Sequence, residues 1–204
     1  MVKPMRPGGI LPPPPRSLEA LLQHLPTGPL WIFAYGSLIW EPGFVPAERR
    51  IATLPGWHRA LRMRSSVYRG TPERPGLVFA LLRGGSCRGQ VLRLDPQRVH
   101  EDLSAVWHRE MPLPLYQPRW LPCRTDRGAV AALGFTLACD HTACSPRLDD
   151  AAVLEVLANA SGLRGRSLDY LVRTEAALRT HGIHDREAAR LVRLARDQGL
   201  LDGG

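Results

Sequence analysis

An α+β fold, a small barrel or strongly curved mixed sheet with flanking helices, is predicted by three observations. Residues 28–139 read mainly as short apolar segments separated by Gly- and Pro-containing turns, the pattern of strands. A single helical segment interrupts them. Beyond about residue 149 the apolar spacing turns wholly helical.

The elements follow in order. Residues 1–16, "MVKPMRPGGILPPPPR", are rich in proline and glycine and predict a disordered or extended tail. Residues 17–204 are expected to form one domain. It opens with a docking helix over 17–26, where Leu18, Leu21, Leu22 and Leu25 share a face, Ser17 is placed as N-cap and Pro26 as stop. The sheet core, 28–139, begins with "LWIFA", an unbroken apolar run that predicts a strand buried on both faces. "HRALRMR" and "LVFALL" follow as strands, "RGGSCRG" as a turn into "QVLRL", and "YQPRWLPCRT", "DRG" and "AVAALGFTLAC" as a second hairpin. The intervening helix is expected over 96–111, with Asp95 as N-cap and Pro96 in the first turn. Three helices then fill 149–199, ended by Gly162, Gly182 and Gly199.

Composition excludes several classes. At 44% apolar and 23% charged residues, the chain has the balance of a soluble globular protein. No apolar run reaches the roughly 18 residues of a membrane span, and the N-terminus lacks a signal peptide's apolar core, so a cytoplasmic location and no membrane partner are expected. Net charge is +8, yet 26 of the 27 basic residues are arginines scattered through every element, which argues against a nucleic-acid partner. The same charge can attract an anionic substrate. Cys139, His141 and Cys144 offer three soft ligands, but no fourth stands at finger-like spacing, so no metal is expected. No G-x-G-x-x-G or Walker loop supports a nucleotide cofactor, and none of any kind is expected. His58, His100 and His108 have no accompanying nucleophile elbow.

The segment "PQRVHEDLSAVWHREM" carries the sharper signal. At about 100° per residue from Val99, Leu103 falls near about 40°, Val106 near about −20° and Trp107 near about 80°. These define the buried stripe, and Glu110 falls at about 20°, in its middle. Glu101, Asp102 and Arg109 are expected on solvated faces. A carboxylate aimed at a core is costly unless paired or partly wetted by a pocket, and burial raises its pKa above about 4.3. Such a group can take and return a proton near neutral pH. The other reading is that the helix frays there, or that Arg109 neutralises the charge. A second feature is "FAYGSLIW", where a buried strand ends in a Tyr-Gly-Ser turn whose backbone N–H groups can cradle a ligand.

Taken together, several segments resemble the ChaC-type γ-glutamylcyclotransferases. They are "WIFAYGSLIW", "LPGWHRALRMRS", "RGTPERPGLVFAL", "GGSCRGQVLRL", "WHREM", "YQPRW" and "GLRGRSLDYL", in family order over roughly 30–190. The resemblance implies a γ-glutamylcyclotransferase-like barrel and cofactor-independent cleavage of glutathione to 5-oxoproline and cysteinylglycine. It implies that Glu110 is the catalytic general acid/base and that Phe33, Ala34, Tyr35, Gly36, Ser37 and Leu38 form the substrate loop, with Tyr116 in the pocket. Ala34 departs from the family by standing where many relatives carry a second glycine, and "PLPL" (112–115) is stiffer than the loop expected there. Another γ-glutamyl amine or dipeptide is the alternative substrate. An Arg-rich nucleic-acid-binding module is the remote alternative, and it predicts steeply salt-dependent binding.

Overall fold

The computed structural model describes Leu11 and residues 13–201. The proposed Pro-rich tail therefore lies largely outside the described residues. Five strands, β1 (Trp31–Ala34), β2 (Glu48–Ser65), β3 (Gly76–Arg93), β4 (Gln117–Thr125) and β5 (Gly128–Thr136), form a closed barrel in the order β1-β3-β2-β4-β5. The parallel pairing of β1 with β5, Trp31 opposite Ala132 and Ile32 opposite Leu133, closes it. Closure removes both free edges. Helices α1 (Leu18–Gln23), α2 (Val99–Glu110), α3 (Asp150–Asn159), α4 (Ser167–Thr180) and α5 (Arg186–Asp197) complete the fold.

The chain divides into two compact units, Met1–His58 with Leu81–Ala138, and Arg59–Ala80 with Cys139–Gly204. In the first, all four β1 residues are buried, as the unbroken apolar run requires. The β4–β5 hairpin turns through Asp126 and Arg127, and Gly128 supplies the left-handed residue (φ 103°) that this turn needs. Ser17 caps α1 by accepting the Ala20 N–H at 3.1 Å, and α1 packs on α2.

In the second unit, the Ser167 hydroxyl donates to the Leu77 carbonyl at 2.8 Å and accepts the Leu77 N–H at 2.9 Å, tying α4 to β3. The Tyr170 hydroxyl accepts the Phe79 N–H at 3.2 Å. Ser161–Gly162 and Gly165–Arg166 pair as a short antiparallel ribbon, so Gly162 does not cap α3, which ends at Asn159 with Ala160 as C-cap.

Two expectations within the first unit's elements need correction. "RGGSCRG" is not a turn between strands, because β3 runs unbroken through it. Gly84 (φ 100°) and Gly85 (φ 68°) bend the strand locally, as bulged glycines do, and His58 Nδ1 meets the Gly84 carbonyl oxygen at 3.0 Å. The interstrand helix starts at Val99 rather than 96. Asp95 still caps a backbone N–H, that of Gln97 at 2.9 Å, but it closes a turn ahead of the helix.

Candidate active site

The site is built on the end of β1, the turn after it, and the last turn of α2. Phe33 and Ala34 are fully buried in β1, so anything they offer a ligand comes from the backbone. Ala34 pairs with Gln90, and the neighbouring Gly89 explains how closely β3 approaches. A Cβ at Gly89 would stand 2.5 Å from the Ala34 carbonyl oxygen and 3.0 Å from the Phe33 ring. Gly36 leads into a 3-10 turn, Ser37–Ile39, in which Ile39 N–H bonds the Gly36 carbonyl at 3.0 Å. The first N–H groups of such a turn have no partner within it. Tyr35, Gly36 and Leu38 are buried, and Ser37 is half-buried.

Helix α2 carries Leu103, Val106 and Trp107 into the core and ends at Glu110, with Met111 N–H closing on the Trp107 carbonyl at 2.8 Å. The helix holds through Glu110 rather than fraying before it. The Glu110 side chain is 15% exposed, neither sealed in the core nor solvated. Arg109 is the unexpected neighbour. Its Nε lies 3.4 Å from Glu110 Oε1, its Nη2 donates to Ser37 Oγ at 3.0 Å, and its Nη1 donates to the Glu41 carbonyl. Nη2 also lies 3.6 Å from Glu41 Oε2. One guanidinium thus fastens the Glu110 carboxylate to the 37–41 turn.

Sequence reasoning had set Arg109 and Asp102 on solvated faces, and both are corrected. The Arg109 side chain is only 13% exposed, and Asp102 is buried. At about −80° and about −60° they share one flank of the stripe, so the buried arc is wider than the apolar residues alone implied. Arg98, four residues before Asp102, was the signal that could have revealed the burial of that carboxylate. Burial pushes the Asp102 carboxyl above its ordinary range, opposed by the Arg98 guanidinium at 3.5 Å.

Phe135 near the end of β5 is the second residue that sequence reasoning missed. The Tyr35 hydroxyl donates to its carbonyl at 2.8 Å, and its ring meets Trp107 and Tyr116 edge-on with centroids 6.3 and 6.4 Å away. Tyr116 and Trp107 of α2 therefore meet on the buried Phe135 ring, and Tyr35 on the same residue's backbone carbonyl. The structure brings together Tyr35, Ser37, Arg109 and Glu110 through this packing and the guanidinium, with Tyr116 beside them. Arg69, the first residue of the "RGTPE" segment, is buried in the second unit, donating to the Arg164 carbonyl with its guanidinium 5.6 Å from the Tyr170 ring centroid. Among the described residues no group of three His, Cys, Asp or Glu side chains is arranged to hold a metal ion.

Chemically, the arrangement offers a carboxylate at a helix terminus, a guanidinium that fixes it, and a turn rich in backbone donors. Residues 30–198 match the family described as ChaC-like protein. The glutathione-specific γ-glutamylcyclotransferase of Escherichia coli is 36% identical over 171 residues, covering 83% of this chain and 74% of that protein. The γ-glutamylcyclotransferase 2-3 of Arabidopsis thaliana is 30% identical over 82% of this chain and 88% of its own length. Among solved structures, a yeast γ-glutamyl cyclotransferase specific to glutathione superposes with a TM-score of 0.73 at 19% identity, over 84% of this chain and 97% of that one.

Proposed function

The chain belongs to the ChaC-like protein family, and from that premise we propose that it is a glutathione-specific γ-glutamylcyclotransferase with Glu110 as its general acid/base. The enzyme converts glutathione to 5-oxoproline and cysteinylglycine. The observation that carries the residue assignment is the Arg109 guanidinium, which binds both Glu110 and Ser37 and so ties the carboxylate to the turn.

The γ-glutamyl group contains its own nucleophile. The α-amine nitrogen attacks the γ-amide carbonyl carbon, a ring C–N bond forms, and the amide C–N bond to cysteine breaks. The amine, with a pKa of about 7.7–8.0, is mostly protonated at neutral pH. Glu110 takes a proton from it and delivers one to the departing nitrogen, so protons balance without water. The glutamyl chain must be folded so that amine and carbonyl meet, and fixing its ends removes the entropy of that search. Backbone N–H groups of the Tyr35–Leu38 turn are suited to hold the substrate carboxylate or the oxyanion. Arg109 keeps Glu110 in one rotamer and in register with that turn. Tyr35 and Tyr116, seated on Phe135, supply a rigid aromatic wall.

The test is 5-oxoproline release from glutathione and, in parallel, from γ-glutamyl-alanine. Turnover of glutathione with little from the dipeptide supports the reading. The reverse assigns the chain to another γ-glutamyl substrate, and no release from either refutes the activity.

A further inference from the structure

The net charge of the chain is not spread evenly. On the barrel, β2, β3 and the β4–β5 turn line a groove of about 690 Å³ with Arg49, Arg50, Arg88, Arg124 and Arg127, against Asp126 as its one acid. Strand pairing builds it, since Thr53 lies opposite Arg124 and Ala52 opposite Thr125. Ala52 and Leu54 point into the core, so the alternate residues Arg49, Ile51 and Thr53 face outward.

The guanidinium groups are pre-positioned. Glu48 accepts hydrogen bonds from Arg50 at 2.7 Å and Arg127 at 3.2 Å and lies 3.3 Å from Arg93 Nε, and this one carboxylate is shared among three cations that hold its pKa below the ordinary range, the Arg50 hydrogen bond foremost. Arg50 also lies over the Trp31 ring, 4.5 Å from its centroid. Arg49 Nη1 donates to Gln90 Oε1 at 3.3 Å and to the Ile39 carbonyl at 3.4 Å. Arg124 is exposed and forms no ion pair among the described residues. Counting Arg93 and Glu48, six arginines meet two carboxylates. On the helices, Arg98 pairs with Glu101, and Arg190 with both Glu187 and Asp150.

We propose that this groove binds a small anion carrying an oligophosphate chain, as in a nucleoside triphosphate. Arginine forks match phosphate oxygens two at a time, and ordering the forks in advance spares entropy on binding. The volume lies within the roughly 300–1,000 Å³ of small-molecule sites. A nucleic-acid backbone would call for a longer basic stripe than the single groove that these five arginines line. The ligand would also be felt at the Ser37–Ile39 turn, because Arg49 holds the Ile39 carbonyl.

Calorimetric titration of the full chain with inorganic triphosphate and with ATP, at about 0.15 M salt to screen weak surface attraction, tests this. Both probes are expected to bind at one saturable site. Arg124→Glu should weaken each by about tenfold or more, in line with the loss of a charge-assisted contact, at unchanged circular dichroism. Arg74→Glu, the same charge change on an exposed loop, should leave both affinities alone. Absence of saturable binding, equal weakening by Arg74→Glu, or citrate binding as tightly as triphosphate would each overturn the proposal. So would displacement of triphosphate by single-stranded oligonucleotides with affinity growing with their length, which would make the surface a nucleic-acid track.

Discussion

At the residue scale, the account turns on Glu110 and the guanidinium that holds it. Glu110→Gln keeps the shape and removes the proton acceptor, so 5-oxoproline formation should fall by about 10²–10⁴-fold with the melting temperature little changed. Arg109→Ala frees the carboxylate and the turn together. A loss of about 100-fold in kcat/KM is expected from misplacement alone, and Arg109→Lys should recover only part of it because an ammonium cannot span Ser37, Glu41 and Glu110 at once. Equal activity of Arg109→Ala and the parent would remove the positioning role. Asp102 gives a pH-dependent prediction of a different kind. Its carboxyl is raised by burial, so ionising it is harder in the folded chain than in the unfolded one. The folded state bears no penalty while the carboxyl is protonated and an increasing one as pH rises through the raised value. Asp102→Asn should therefore raise the melting temperature at neutral pH and lose that advantage in acid. A gain of the same size at both pH values would contradict the buried-charge explanation.

At the scale of elements, the close approach of β3 to β1 is an exacting feature. Gly89→Ala forces a Cβ against the Ala34 carbonyl and the Phe33 ring, so about 1–3 kcal/mol of destabilisation and a disturbed turn are expected by denaturant titration and turnover. Phe135→Ala should cost about 3–5 kcal/mol and loosen Tyr116 and α2 together, while the backbone carbonyl that holds Tyr35 remains. The sequence made strands legible wherever apolar runs were continuous, as in 31–34, and made the β4–β5 hairpin legible through its "DRG" turn. It misled at "RGGSCRG", because glycine favours both a turn and a bulge, and only the long-range pairing of β2 with β3 decides between them. Helix α2 was legible in period but not in width. Arg109 is drawn inward by Ser37 and Glu41, which lie far away in sequence and are absent from a helical wheel, whereas Asp102 meets Arg98 one turn before it. The partial burial of Glu110 was legible because its angle set it on the apolar stripe.

For the whole molecule, the barrel brings residues 33–38, 109–110, 116 and 135 together although they are dispersed along the chain. Closing β1 against both β3 and β5 accomplishes this, and no local pattern in the sequence encodes that closure. The charge distribution was likewise invisible in sequence, where arginines looked evenly scattered and only the β2–β4 register gathered several of them into one groove. The Pro-rich segment is proposed to lie outside the folded domain. Removing residues 1–16 should leave both melting temperature and turnover unchanged, whereas a loss of either would assign that segment a part in the domain. The central claim is tested most directly by following glutathione in the presence of the purified chain and of its Glu110→Gln variant, with 5-oxoproline and cysteinylglycine quantified together. The account predicts equal molar amounts of the two products from the parent chain and almost none from the folded variant. Near-parental product formation by Glu110→Gln would contradict it.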